Sequence, residues 1–301
     1  MNNGAVYREI VGAHGHGTAV LAYLVATYCH SDEDTWRARI ASGELSLDGT
    51  VATAATRLCA GQALCWSRPP WQEPDAPLDV TVLFEDDDVL AVHKPAGLPT
   101  LPGAGFQQHT LLTRVREHAP SASPVHRLGR GTSGLVLFAK STESARQVQT
   151  QWHAGGVVKI YRALVQGVVG FDSLVVDAPI GLVEDALMAD GLFSATPSGR
   201  RARSTLRVVQ RRASSTLLDV SIETGRPHQI RIHTATAGHP LEHDPLYGIG
   251  GTRREGSAAR PGDIGYSLHA HTLTLAHPRS GAVLHLEAPP PAALVAEATR
   301  G

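Results

Sequence analysis

The sequence predicts an α+β protein: a mixed, mostly antiparallel sheet domain preceded by a small α/β module. Three observations predict it. Residues 14–68 carry two amphipathic helix patterns followed by a hairpin signal. Residues 67–79, SRPPWQEPDAPLD, hold four prolines and read as a linker. From residue 80 to about 295, short apolar strand patterns alternate with turns. At 301 residues the chain is long enough for one large core and a small second one.

In the first module, TAVLAYLVATYC (18–29) has helical spacing, with Thr18 as the expected N-cap. A second helix is expected from Ser31 and Asp34 through Trp36 and Ile40 to a stop at Gly43. A hairpin should follow, with Asp48-Gly49 as its turn. In the larger domain, TVLFEDDDVLAVHKPAG reads as strand, acidic turn, strand and a Lys-Pro-Ala-Gly break. GLVLFAK (134–140) is nearly continuous in apolar residues and should be a strand buried on both faces. A helix is expected over 141–153, capped by Ser141 or Thr142. Strands are expected over 159–169, 204–212 and 215–224. The segment 227–238 should turn and become a helix ending at Gly238, and LHAHTLTLAHP with GAVLHLEAP should form a late hairpin. There is no internal repeat.

Composition narrows the chemistry. Hydrophobic content of 42% with 18% charged residues is that of an ordinary globular protein. No basic-then-apolar leader opens the chain, and no segment approaches the ~20 apolar residues of a membrane helix. Cys29, Cys59 and Cys65 show no CxxC spacing, so neither a disulfide framework nor a zinc site is expected, and the chain reads as reduced and cytoplasmic. Net charge is −1, but lysine occurs only at Lys94, Lys140 and Lys159; the rest of the 27 basic residues are arginine. Several cluster, as at Arg127/Arg130, Arg200/Arg201/Arg203, Arg211/Arg212, Arg226/Arg231 and Arg253/Arg254. Arginine suits bidentate phosphate binding and stacking on bases. No histidine pair has a supporting carboxylate or cysteine at ligand spacing, so no metal is expected. Ser133 is not in a GxSxG elbow, and neither a Walker loop nor GxGxxG is present.

What remains is a series of short blocks: VLFEDDDVLAVHKPAGLPTLPG (82–103), VHRLGRGTSGLVLFAKS (125–141), KIYRALVQG (159–167), SGRRARSTLRVV (198–209), TGRPHQIRIHTATAGHP (224–240), DPLYG (244–248) and LHAHTLTLAHPRSGAVLHLEAP (268–289). In this order they resemble the RluA family of RNA pseudouridine synthases, over roughly residues 80–290. The front module resembles the small alpha-L RNA-binding motif, although its basic face offers little beyond Arg37, Arg39 and Arg57. A subgroup of the family carries this kind of loop and an Arg-Pro-Pro-Trp linker, matched here by Arg68 to Trp71.

The resemblance implies a pseudouridine synthase fold with a central cleft and an isomerase of uridine in structured rRNA or tRNA. It implies no metal or organic cofactor, no DNA and no membrane partner; a monomer is the default. A stacked base must be flipped out before its glycosidic bond can be reached. The resemblance assigns Arg127 to the gap left by the flipped base, Tyr161 to stacking on uracil, and Arg231 to pairing with the catalytic carboxylate. Arg130, Thr132, Ser133, Arg226 and His228 join Arg127 as expected RNA contacts. The family's catalytic loop reads His-Arg-Leu-Asp, and here the aspartate position is Gly129, with Gly131 two residues on. A buried Arg231 without a counter-charge would cost several kcal/mol. Asp244 is the candidate stand-in, although the residue before it is His243 where the family has glycine. Three readings stay open: a synthase using a carboxylate outside the loop, an inactive relative that binds RNA, and a different base-directed reaction.

Overall fold

The computed structural model describes residues 1–28, 30–103 and 105–297, so Cys29, at the end of the first expected helix, lies outside the described residues. The chain separates into two compact units, Met1–Pro74 and Asp75–Gly301.

The first unit contains β1 (Ala5–Ile10), α1 (Val20–Thr27), α2 (Glu33–Ala41), β2 (Leu45–Leu47), β3 (Thr50–Val51) and β4 (Ala63–Arg68). Its sheet runs β1-β4-β2-β3, all pairs antiparallel. The α1 cap is Ala19 rather than Thr18, with no side-chain bond. In α2 the cap is Asp32, whose carboxylate accepts the Thr35 N–H at 2.8 Å. Asp48 (φ 49°) and Gly49 (φ 82°) form the hairpin turn, both left-handed as a type I′ turn requires. Trp36, Leu24, Leu45 and Leu58 centre the core. Strands β1 and β4 were not legible. β4 extends through Arg68, so regular structure continues into the start of the proline-rich stretch.

The second unit contains β5 (Thr81–Glu85), β6 (Val89–Lys94), α3 (Leu111–His118), β7 (Ser123–Pro124), β8 (Ser133–Ala139), α4 (Thr142–His153), β9 (Val158–Gln166), β10 (Ser173–Asp177), β11 (Ile180–Asp185), β12 (Met188–Ala195), β13 (Arg203–Arg211), β14 (Ser215–Ile222), α5 (Gln229–Thr236), β15 (Leu268–Ala276) and β16 (Val283–Glu287). Ten strands form one sheet in the order β10-β13-β14-β9-β15-β8-β6-β5, with β16 on β15 and β7 on β8. Strands β11 and β12 form a separate hairpin. The result is the expected α+β fold with a mixed, mostly antiparallel sheet.

Strand β8 is buried along its whole length. Its alternate residues serve two cores: Val136 and Phe138 pack with Leu90 and Val92, while Leu135 and Leu137 pack with Val89, Ala91 and Val148. That two-sided burial is why its sequence is a continuous apolar run. The Ser141 hydroxyl caps α4 by accepting the Ser144 N–H at 3.1 Å.

One pairing positions the site. Strands β8 and β15 run parallel, with His269 opposite Ser133 and Ala270 opposite Gly134. A β-carbon at Gly134, where φ is +112°, would stand 2.2 Å from the Ala270 carbonyl oxygen. Only glycine permits that approach. Because the two strands are parallel, the segments leading into them emerge at the same end of the sheet. The 126–132 loop and Tyr266 are thereby brought together.

Candidate active site

The loop is fixed from its inner side. Lys94 is fully buried, and its ammonium donates to the carbonyls of Pro95 (2.9 Å), Leu98 (2.7 Å) and Arg130 (3.2 Å). Thr100 Oγ1 donates to the Leu128 carbonyl at 2.9 Å and accepts the Leu128 N–H at 3.2 Å. His126 turns inward: its Nε2 accepts the Leu137 N–H at 3.0 Å, and its ring stacks on Trp152. Burial, with a push from Lys159, brings the His126 imidazole down to about 4, so it is neutral.

Arg127 faces solvent and has no hydrogen-bond or ion-pair partner among the described residues. Arg130 is half-buried; its Nε donates to the Gly262 carbonyl at 2.9 Å, and its guanidinium lies 5.4 Å from the Phe106 ring centre. Thr132 and Ser133 are buried. Their hydroxyls meet Tyr266 (3.2 Å) and His269 Nδ1 (2.8 Å). Ser133 is therefore a member of the β8–β15 pair, and its hydroxyl does not face outward. Arg226 Nε donates to the Arg201 carbonyl at 3.0 Å and leaves the rest of its guanidinium available.

Helix α5 supplies the cation. The turn before it is held by buried Gln229, which accepts from the Thr224 hydroxyl (2.7 Å) and the Arg226 N–H (3.0 Å) and donates to Ser204 Oγ (3.0 Å). His228 takes a left-handed conformation (φ 55°) to enter the helix. Arg231, 2% exposed, then makes a two-pronged pair with Asp244: Nε to Oδ2 and Nη2 to Oδ1, both 2.7 Å. Asp244 Oδ1 also accepts the N–H groups of Leu246 (2.9 Å) and Tyr247 (3.0 Å). Burial raises the Asp244 carboxyl, but the guanidinium and the two N–H donors outweigh it and hold it below the ordinary carboxylate range. Burial likewise opposes charge on Arg231, and Asp244 more than restores it. The expected stand-in is thus Arg231's counter-ion. His243, at φ 59°, carries the left-handed turn before it, where glycine would have been the easy residue.

The guanidinium is flanked by two aromatic rings, Tyr266 at 4.2 Å and Tyr247 at 5.0 Å between centres. The Tyr247 hydroxyl donates to the Phe193 carbonyl at 2.9 Å, so the contact with His228 Nδ1 at 2.8 Å uses the histidine's proton. His228 Nε2 is then left as an acceptor. Burial, reinforced by Arg231, pushes His228 down to about 4; Asp244 works against this, and Arg127 adds a smaller push that places it in the same field. His228 is a neutral imidazole here. Tyr161, on β9 between Val220 and Ala270, is half-buried and packs against two cores, one containing Leu128 and the other Ile230 and Tyr266. Burial raises its phenol to about 12.

Gly129 is exposed and brings no side chain to the site. The space beside it is occupied. A β-carbon at Gly129 would lie 3.1 Å from the Tyr266 hydroxyl, and one at Gly131 would lie 2.8 Å from that ring. Tyr266 was missed in the sequence because no charged or metal-binding motif contains it. The only signal was the joint loss of side chains at 129 and 131, which implies that something else fills the volume.

Several of the clustered arginines are ion-paired. Arg201 and Arg203 pair with Glu223, Arg211 with Asp172 and Arg253 with Asp185. Asp86, Asp88 and His277 bring ligand atoms within 4.8 Å of one another. Asp86 is engaged by His277 at 2.8 Å and Asp88 by Arg279 at 2.6 Å, so this is an ion-paired turn after β5. No helix among the described residues is long and apolar enough to cross a membrane.

The fold is that of a pseudouridine synthase domain. The structure is similar to human RNA pseudouridylate synthase domain containing 1, with a TM-score of 0.57 at 21% identity, covering 72% of this chain and 86% of that one. The family model described as RNA pseudouridylate synthase matches residues 88–236. RNA pseudouridine synthase 5 of Oryza sativa subsp. japonica is 40% identical over 85% of this chain and 78% of its own length. An uncharacterized RNA pseudouridine synthase of Synechocystis is 38% identical over 92% of this chain and 95% of its own. Ribosomal large subunit pseudouridine synthase D of Neisseria meningitidis serogroup B is 33% identical over 93% and 76%. The chain belongs to the RNA pseudouridine synthase family, in its RluA branch.

Proposed function

We propose that this chain converts uridine to pseudouridine in structured RNA, with ribosomal or transfer RNA as substrate, acting as a cytoplasmic monomer without a cofactor. The observation that carries the reading is the Arg231–Asp244 pair. A buried arginine deprived of its carboxylate would be expelled or would collapse the pocket; here it is retained, compensated and stacked against Tyr266, which touches the loop. Arg127, unpartnered and in the field of His228, supplies a cation for the backbone of a flipped nucleotide. Tyr161 supplies an aromatic wall for the base. RNA shape rather than base-edge readout would select the target.

The unit Met1–Pro74 is assigned an RNA-contacting role. Arg39 lies over the half-buried Trp66 ring, and Arg68 lies 3.5 Å from the Trp71 ring centre. Arginine–aromatic surfaces of this kind suit stacking on bases.

A second reading is favoured by Gly129: a relative that binds and clamps RNA without isomerising it. The two separate in one experiment. The protein and its Gly129→Asp variant are incubated with unmodified rRNA and tRNA transcripts, and pseudouridine is mapped. Pseudouridine formed by the natural chain supports the isomerase. Silence of the natural chain with activity in Gly129→Asp would overturn the isomerase reading for the natural chain.

A further inference from the structure

Asp244 can balance Arg231, but it is badly placed to react. Both carboxylate oxygens are occupied, by the guanidinium and by two backbone N–H groups, and the residue is 1% exposed. Moving it toward a ribose would break four hydrogen bonds and unpair a buried charge at once. The reacting group, if the chain is an isomerase, must lie elsewhere.

We propose that the Tyr266 phenol oxygen is that group, standing where a residue-129 side chain would otherwise reach. This rests on the isomerase reading above. Three observations converge. First, among the heavy atoms near the exposed Gly129, the Tyr266 hydroxyl is the closest to its missing β-carbon, at 3.1 Å, followed by Thr132 Oγ1 at 3.7 Å. Second, Tyr266 and Gly131 exclude alternatives: any β-carbon at 131 would fall 2.8–3.1 Å from three atoms of the phenol. The two loop glycines and the tyrosine are one mutually dependent unit. Third, the tyrosine is held rather than merely packed. Its neighbour Ser267 donates its N–H to the Glu242 carbonyl (3.2 Å) and accepts the Leu164 N–H (3.2 Å), its ring lies on Arg231 at 4.2 Å, and its hydroxyl meets Thr132 Oγ1 at 3.2 Å. The cation on the ring face fixes the orientation in which the phenol oxygen points toward the loop.

Tyrosine serves as the nucleophile in some glycoside-cleaving enzymes, and the uridine bond is a glycosidic bond. The step balances without a co-reactant. The phenol oxygen bonds to ribose C1′ as its proton passes to water. The C1′–N1 bond breaks and its electron pair remains on the uracil anion. After the base turns, C5 supplies the pair for a C5–C1′ bond, and the C1′–phenol bond breaks with its pair returning to the oxygen. The phenolate then takes the C5 proton, and N1 takes one from water.

The test compares wild type with Tyr266→Phe on unmodified rRNA and tRNA transcripts, measuring single-turnover pseudouridine formation at saturating RNA and, separately, retention of the same RNA on filters. The expected result is a rate lowered by roughly a hundredfold or more with RNA binding within about twofold of wild type. A rate within about threefold of wild type overturns the assignment of Tyr266 and leaves the isomerase reading standing. A parallel loss of rate and RNA binding also overturns it, because the ring would then be a docking wall. Wild type that forms no pseudouridine in any transcript overturns both.

Discussion

Arg231 and Asp244 meet through two parallel 2.7 Å hydrogen bonds, with side chains only 2% and 0% exposed. Truncating one partner strands the other. Asp244→Leu alone should cost about 3–5 kcal/mol of unfolding free energy, measured in urea, whereas Arg231→Met with Asp244→Leu should recover much of that loss. The pair also sets an acid limit. Its carboxyl is held below the ordinary range in the folded state, so its contribution is complete above the unfolded value of about 3.9 and is lost as pH falls through the folded one. The double variant should lose less stability than wild type in that lower window.

His126, His228 and His269 are each brought from 6.5 to about 4, chiefly by burial. A depressed folded value means that protonation favours the unfolded chain. Their contribution is full above about pH 6.5 and is lost as pH falls toward 4. Urea titrations across that interval should show proton uptake on unfolding, and His228→Asn should reduce the uptake by about one proton.

Gly134 cannot accept a side chain. Gly134→Ala drives a β-carbon to 2.2 Å from the Ala270 carbonyl oxygen at a residue with φ +112°. The cost should exceed ~4 kcal/mol, the range of exceptional substitutions. Far-ultraviolet dichroism and a melting curve of the purified variant would check this; a melting temperature equal to wild type would contradict it.

Arg127 is exposed and has no partner among the described residues, so Arg127→Ala should leave stability unchanged. It should weaken binding to structured RNA transcripts about equally across sequences. The slope of log affinity against log salt should fall in magnitude by about one.

The sheet's centre was legible because continuous apolar runs and capping serines are local signals, as in β8 and α4. The elements that escaped carry weak ones. β1 is exposed at Val6, Tyr7 and Ile10, and the β11–β12 hairpin has an irregular register between Val183 and Asp185. Asp244 could be nominated because a buried cation requires an anion. Its four hydrogen bonds could not be foreseen, since they depend on the fold of the turn around it. Tyr266 was invisible for a different reason: its relation to Gly129 is made by the parallel pairing of distant strands, and no spacing in the chain encodes it.

That parallel pairing dictates an order of assembly during synthesis. Loop 126–132, Arg231 and Asp244 are all translated before Tyr266. Until β15 arrives, β8 and β9 lack the strand that joins them, and the two halves of the large sheet are separate edges. Chains stopped just before residue 266 should therefore be cut readily by protease within the large unit. Closure of the sheet and the placing of Tyr266, just ahead of β15, beside the 126–132 loop therefore come late and together.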